Sequence, residues 1–74
     1  MSATVTGKIL RIAKDEQQRS KGFAFVRTSD GIDWFLHRTE LRNAPFESLS
    51  EGDEVEFVPV QASKGPRATD CYVR

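Results

Sequence analysis

The stretch Ser20–Val26, SKGFAFV, decides how this chain folds, because it alternates aromatic and aliphatic side chains along a single strand. Successive side chains of a strand point to opposite faces, so Phe23 and Phe25 share one face while Ala24 and Val26 share the other. A chain of 74 residues can bury only one of these faces well. The residues that follow the stretch determine which face is buried.

The partner strand is IDWFLH, Ile32–His37, which follows the turn residues Ser29-Asp30-Gly31. A two-residue turn at Asp30-Gly31 would pair Phe25 with Leu36, and both faces of the hairpin would then mix polar and apolar groups. A three-residue loop, with its glycine in the left-handed conformation, shifts the pairing by one residue. We favour the three-residue loop because it makes both faces consistent.

In this register one face is wholly apolar and pairs Ala24 with Leu36 and Val26 with Trp34, as a core requires. The other face carries three phenylalanines, a histidine and an opposite-charge pair, and these residues are Phe23, Phe25, Phe35, His37 and Arg27–Asp33. Since so short a chain cannot easily cover a second apolar layer, we expect the aromatic residues to be exposed. An apolar patch rimmed by charge usually marks a binding site.

The rest of the sequence also indicates strands. VTGKILRI, DEVEFV and ATDCYV are rich in β-branched residues or alternate in polarity, and short turn sequences separate them. Pro59 predicts that its strand ends at an edge or a bulge, and one short helical turn fits near residues 38–42. We therefore predict an all-β protein, a small five-stranded antiparallel barrel that forms one domain over residues 1–74.

The composition limits the function classes. The chain has 11 basic and 11 acidic residues, so bulk charge does not drive it toward nucleic acid. The charges are unevenly spread, because residues 1–42 hold eight basic and five acidic residues and residues 43–74 hold three basic and six acidic ones. The basic half contains SKGFAFV. The apolar runs are too short for a membrane span, and the start MSATVTGK lacks a signal-peptide core, so we expect a cytoplasmic protein without membrane contact.

The sequence contains few residues that could act in catalysis or bind a metal. His37 and Cys71 are the only histidine and the only cysteine, which is too few for a typical zinc site and excludes an internal disulfide. We expect Cys71 to be a small buried hydrophobic residue. Neither SKGP nor SDG is long enough to cradle a phosphate. The sequence thus predicts neither an enzyme nor a metal or small-molecule cofactor.

Two families contain a string like Lys21–Val26. The RNA recognition motif carries it late, after a helix and two strands, whereas here only twenty residues precede Lys21 and no helical pattern flanks it. The cold-shock domain, a five-stranded OB-like barrel, carries it on the second strand. The chain resembles that family at four motifs in the correct order, which are TGKIL, KGFAFV with DWFLHR, FESLSEGDEVEF and SKGPRATDCYV.

The resemblance implies single-stranded RNA or DNA as the ligand, a monomer and a role as an RNA chaperone. It implies base stacking on five aromatic residues and polar contacts from three others, namely Phe23, Phe25, Phe35, His37 and Phe46, and Lys21, Asp33 and Lys64. Arg11 and Arg38 stand where the family has Trp and Phe, and a guanidinium can both stack and meet phosphate. The loop AKDEQQRS is longer than the family's. A barrel that binds protein, or an accessory module of a larger enzyme, is the alternative.

Overall fold

The computed structural model describes residues 3–17 and 19–74. The described chain contains five strands and a short 3-10 turn after the third strand, as the sequence predicts, and a second short 3-10 turn that it does not predict. Residues 1, 2 and 18 of the predicted domain lie outside the described residues. The strands are β1 (Val5–Lys14), β2 (Ser20–Thr28), β3 (Asp33–His37), β4 (Glu54–Ala62) and β5 (Gly65–Val73), and the turns are Arg38–Glu40 and Phe46–Ser48.

The strands close into a barrel in the order β1-β2-β3-β5-β4, so each has two neighbours. This confirms the predicted fold class and removes the free edges that would invite aggregation. One contact differs from a purely antiparallel barrel, because β3 and β5 pair in parallel, with Phe35 opposite Arg67 and Leu36 opposite Ala68. Strand direction alternates along the chain, so two odd-numbered strands that meet at the closure must run the same way.

The hairpin of β2 and β3 has the predicted register. Phe25 lies opposite Phe35, and Val26 lies opposite Trp34. The loop is Ser29–Gly31, in which Gly31 has a φ of +85° and donates its N–H to the Thr28 carbonyl at 2.9 Å. A φ of this sign favours glycine, so the glycine fixes the loop length and thereby the register.

The barrel interior holds the apolar face of this hairpin. Ala24, Val26 and Leu36 are fully buried, and Trp34 packs against Phe57 with ring centroids 5.7 Å apart. The indole Nε1–H of Trp34 donates to the Thr28 hydroxyl at 3.1 Å. A buried indole needs such a partner, and Thr28 supplies it from the same face of β2, two residues after Val26.

The predictions that Pro59 lies at an edge and that Cys71 is buried are also confirmed. The second half of β4, which contains Pro59, extends past the end of its pairing with β1 and contacts β5 alone. Proline lacks an N–H, and such an edge position tolerates it. A bulge in the β4–β5 pairing coincides with Asp70, whose φ is +45°, and it leaves the next residue, Cys71, fully buried.

Gly7 marks the closest approach of β1 to β2. A Cβ at this position would lie 2.7 Å from Cγ1 of Val26 and 2.9 Å from the Arg27 carbonyl oxygen. The backbone oxygen cannot move without disturbing the strand pairing. We therefore expect Gly7→Ala to lower the free energy of unfolding by about 1–3 kcal/mol, as overpacking does. Urea denaturation measures this, with the exposed neighbour substitution Lys8→Ala as a control that stays within about 0.5 kcal/mol of the parent. Equal stability of the two variants would contradict this account of Gly7.

Burial raises the pKa of the Cys71 thiol from 9.0 to about 11. The folded state therefore holds this proton more tightly than the unfolded state does. Its contribution to stability is complete below pH 9.0 and is lost as the pH rises toward about 11, a loss of roughly 2 kcal/mol. Urea denaturation at several pH values should show this decline in the parent and a shallower one in Cys71→Val, which has no thiol to ionise. Parallel declines in both proteins would show that other groups cause the loss.

Candidate nucleic-acid interface

Four rings from β2 and β3 form one contiguous cluster on the outside of the barrel, here called the aromatic face (Phe23, Phe25, Phe35 and His37). Phe23 and Phe35 are stacked at a centroid distance of 5.3 Å. Phe25 stands edge-on to Phe23 at 6.0 Å and to Phe35 at 6.1 Å, and His37 follows Phe35 at 6.5 Å. All four side chains are half-buried rather than fully exposed as the sequence predicts, because each ring rests on its neighbours and only part of its surface is open to solvent.

His37 is fixed by the turn that follows β3. The backbone N–H of Thr39 donates to Nδ1 of His37 at 3.2 Å, and the Thr39 hydroxyl lies 2.8 Å from the same nitrogen. Because Nδ1 accepts a hydrogen bond in this arrangement, the neutral ring carries its proton on Nε2. The 3-10 turn Arg38–Glu40, which the sequence predicts near residues 38–42, thus holds the histidine at the end of the aromatic face.

Arg11 lies over the aromatic face, as its replacement of a family aromatic suggested. A register shift between Ile9 and Arg11 in β1 brings Arg11 opposite Phe25. Its guanidinium carbon lies 5.4 Å from the centroid of the Phe25 ring, within cation–π range. The described structure shows no ion pair for Arg11, so its charge is available to a ligand.

Arg67 is a second guanidinium on the aromatic face, and the sequence analysis missed it. Its guanidinium carbon lies 5.6 Å from the Phe35 centroid, and its Nε is buried without a hydrogen-bond partner among the described residues. The parallel pairing of β3 with β5 places it there. Only the closure of the barrel creates this pairing. The stretch SKGPRA therefore contains Arg67 but has no local pattern that would predict its contact with Phe35.

The remaining predicted site residues fall into two groups around the aromatic face. Lys64 and Asp33 line a concavity of about 360 Å³ together with Phe25, Phe35 and Arg67. Lys21 and Arg38 line another, of about 340 Å³, beside His37. The Arg38 side chain passes over Gly22, whose φ is +88° and whose absent Cβ would lie 3.3 Å from Cδ of Arg38.

Phe46 differs from its expected placement. The family resemblance implies that Phe46 stacks on a base, whereas its ring is only 6 % exposed and belongs to the core cluster. Its 3-10 turn, Phe46–Ser48, turns the ring inward, and the residue also lines the concavity beside Lys21 and His37. A stacking role for Phe46 stays a prediction.

The cross-strand pair at the end of the hairpin has its predicted geometry. Nε of Arg27 donates to the Asp33 carboxylate at 2.7 Å, and a second guanidinium nitrogen donates to the other oxygen at 3.2 Å. The hydrogen bond from Arg27 holds the pKa of Asp33 below its ordinary value, and the carboxylate likewise raises the pKa of Arg27. Asp33 is therefore fully ionised at neutral pH, beside Phe25 and Phe35.

Residues 3–17 and 19–74 contain no group of three or more His, Cys, Asp or Glu side chains with the arrangement of a metal site. In the same part of the chain, the structure has no helix whose length and apolar character would let it cross a membrane.

A closed five-stranded barrel in this strand order is an OB-type barrel. The chain belongs to the "cold-shock" DNA-binding domain family, whose model matches residues 16–73. The TGKIL motif, which also resembles the family, lies before the matched range. Membership supports nucleic-acid binding, and the family is known for binding rather than for catalysis.

Curated relatives agree with this assignment. The chain is 42% identical over 50 residues to cold shock protein CspB of Geobacillus stearothermophilus, a match that covers 68% of this chain and 76% of that protein. It is 46% identical over 50 residues to a probable cold shock protein A of Mycolicibacterium smegmatis, covering 66% and 75% of the two chains. It is 39% identical over 54 residues to the major cold shock protein CspA of Pseudomonas aeruginosa, covering 73% and 78%.

The Arg27–Asp33 pair can be tested by titration. We expect Arg27→Ala to raise the pKa of Asp33 toward its ordinary value, because the variant removes the hydrogen bond that stabilises the carboxylate. Because the pKa of Asp33 is lowered in the folded parent, its carboxylate stabilises the fold at pH values above its ordinary pKa. This contribution is lost as the pH falls through the folded-state pKa. NMR titration of the side-chain carboxyl carbon measures the shift. Arg19→Ala removes a cation that pairs with Asp15 instead and should leave Asp33 unchanged. An Asp33 pKa that is the same in all three proteins would show that the pair does not form in solution.

Proposed function

We propose that this protein binds unpaired segments of RNA or DNA by stacking successive bases on the aromatic face, without catalysing a reaction. The observation that carries the proposal is the contiguous arrangement of Phe23, Phe25, Phe35 and His37 on the outside of the barrel, where each is half-buried, with centroid distances of 5.3–6.5 Å between neighbours. Every base has a π face, so such rings bind single strands with little regard to sequence.

The charges around the aromatic face support the same ligand. Four cations lie at its margin, namely Arg11, Lys21, Lys64 and Arg67. The described structure shows none of them in an ion pair, whereas Arg19, Arg27 and Arg42 are paired with carboxylates. Unpaired cations beside open rings provide for phosphate and base at once. A net charge of zero then does not argue against binding, because four cations without ion pairs lie at the margin of the aromatic face.

The proposed stacking requires bases that are not already stacked in a helix. A duplex offers only its terminal bases to an exposed ring, so the proposal excludes tight binding of duplex. A protein that holds unpaired segments in this way disfavours base pairing, and we propose an RNA chaperone role on this ground. One copy of the chain carries the complete aromatic face, so we propose that it acts as a monomer.

The two faces of the hairpin provide the test. Phe25→Ala should weaken binding of oligothymidine or oligouridine by about 1–3 kcal/mol, the value of one base stack, with a smaller loss of stability than Trp34→Ala causes. Trp34→Ala should instead destabilise the fold by on the order of 3–5 kcal/mol, because it empties a core position. Tyr72→Ala removes an aromatic ring that is 48% exposed on β5 and does not contact the aromatic face, and it serves as the matched control.

The measurements are anisotropy of a labelled oligonucleotide, with a duplex of the same sequence as competitor, and thermal melting of each variant. We expect the control variant to bind as the parent does and the duplex to compete poorly. The proposal is wrong if the parent binds no single strand at high micromolar concentration. It is also wrong if Phe25→Ala and Tyr72→Ala both bind the oligonucleotide as tightly as the parent does. The first of these results would favour a protein ligand for the aromatic face.

A further inference from the structure

The hairpin between β1 and β2 projects beyond the aromatic face and carries cations that the proposed stacking does not use. Its strands continue to Lys14, which pairs with Ser20 in register, and the molecule is elongated, with principal extents of 39 × 25 × 21 Å. Next to Phe23, this hairpin forms a concavity of about 310 Å³ lined by Arg11, Ile12, Ala13, Lys14, Lys21 and Phe23. Three of these six residues are cationic, and one wall is a ring of the aromatic face.

We infer that this concavity is an additional nucleotide subsite, in which Lys14, with Arg11 and Lys21, binds the phosphate of the nucleotide that follows the stack beyond Phe23. The inference rests on the proposed function. It extends the footprint of the protein by one nucleotide past the aromatic face, and it assigns that extension to the lengthened hairpin.

The local charges favour an anion at this position. Lys14 and Lys21 are exposed, and the described structure gives neither of them an ion pair. The nearest acid of the hairpin, Asp15, is already engaged. Its carboxylate accepts hydrogen bonds from the backbone N–H groups of Gln17 and Arg19, each at 2.9 Å, and lies 3.3 Å from Nε of Arg19. Arg19 thus offsets most of the charge of Asp15, although Asp15 also interacts electrostatically with Lys21, and Glu16 is a further exposed carboxylate of this hairpin.

Hydrogen bonds of Asp15 connect the two sides of this hairpin next to Lys14. Asp15 donates its N–H to the Arg19 carbonyl at 2.8 Å, and its carboxylate caps the turn from within. Two registers of β1 against β2 meet here, because Ile12 pairs with Ala24 while Lys14 pairs with Ser20. The resulting bulge in β2 contains Lys21 and Gly22 and brings Lys21 to the same concavity as Lys14.

The chemistry of the concavity suits a sugar-phosphate better than a further base. Ala13 and Ile12 give it an aliphatic floor, and Phe23 is its only ring. A base in the stack would use the open surface of Phe23, and the adjoining phosphate would then meet the ammonium and guanidinium groups. Such a contact adds affinity and salt dependence without adding base preference.

The test compares Lys14→Gln with Arg19→Gln, two variants that lose the same charge from the same hairpin. Arg19→Gln keeps the backbone N–H that caps the turn, and it removes a cation that is already paired. Each variant and the parent are titrated with a series of oligothymidines of increasing length at several salt concentrations. Phe25→Ala is included to report on the aromatic face itself.

On the longer oligonucleotides we expect Lys14→Gln to bind about two- to fivefold more weakly than the parent. The slope of log K against log salt should become shallower by about 0.7, the value of one phosphate contact on a single strand. The difference should vanish for the shortest oligonucleotide that the aromatic face still binds. Arg19→Gln frees the charge of Asp15, so it should weaken binding less than Lys14→Gln does, and it should keep the parent's slope because it removes no phosphate contact.

The inference is overturned if Lys14→Gln and the parent show equal slopes and affinities at all lengths while the parent binds normally and Phe25→Ala binds weakly. It is also overturned if Arg19→Gln loses as much as Lys14→Gln, since the effect would then be one of net charge. A parent protein that binds no oligonucleotide would instead refute the proposed function, and this subsite with it.

Discussion

The register of one hairpin governs the whole molecule. Strands β2 and β3 are joined by the three residues Ser29–Gly31, and the left-handed glycine of this loop sets which side chains share a face. A shift of one residue would place Phe25 and Phe35 on opposite faces of the hairpin and would bring polar groups into the barrel interior. The core and the aromatic face are thus two consequences of the same loop, which explains how a chain of 74 residues can both bury a core and keep three half-buried phenylalanines on its outer surface.

The core has to be compact to allow this exposure. Apolar side chains used on the aromatic face are not available for burial, so the interior depends on a few well-packed residues. Trp34 supplies much of that volume, with its N–H satisfied by Thr28. Gly7 lets β1 approach β2 to a distance that no other residue permits. Closure of the barrel then pairs every strand on both sides, so backbone hydrogen bonding supplies stability that a small core cannot.

Much of this could be predicted from the sequence, because the determining signals are local. The alternation in SKGFAFV and DWFLH, together with SDG between them, specifies the register, and the Arg27–Asp33 pair and the burial of Trp34 follow from it. The placement of Arg67 could not be predicted in this way. Its contact with Phe35 depends on the parallel pairing of β3 with β5, and the two residues are far apart in sequence.

Phe46 shows a second limit of the sequence pattern. The motif that contains it specifies a residue type, but the orientation of its ring depends on a 3-10 turn of three residues whose backbone has no periodic signal. An aromatic residue in a short turn can face the solvent or the core, and the packing around it decides which. Here the core gains the ring, and the aromatic face is built from strand residues alone.

The guanidinium groups over the aromatic face suggest how exposed phenylalanines are tolerated before a ligand arrives. Arg11 lies 5.4 Å from Phe25, and Arg67 lies 5.6 Å from Phe35. Cation–π contacts at exposed sites contribute about 0.5–1 kcal/mol, whereas a stacked base contributes about 1–3 kcal/mol. The arginines can therefore shield the rings from water and from other apolar surfaces without outcompeting a base. A base that displaces Arg67 would also free its buried Nε, which has no hydrogen-bond partner among the described residues, to donate to the ligand. The same side chains thus fit both states of the proposed site, covering the rings when it is empty and meeting phosphate or base edges when it is filled.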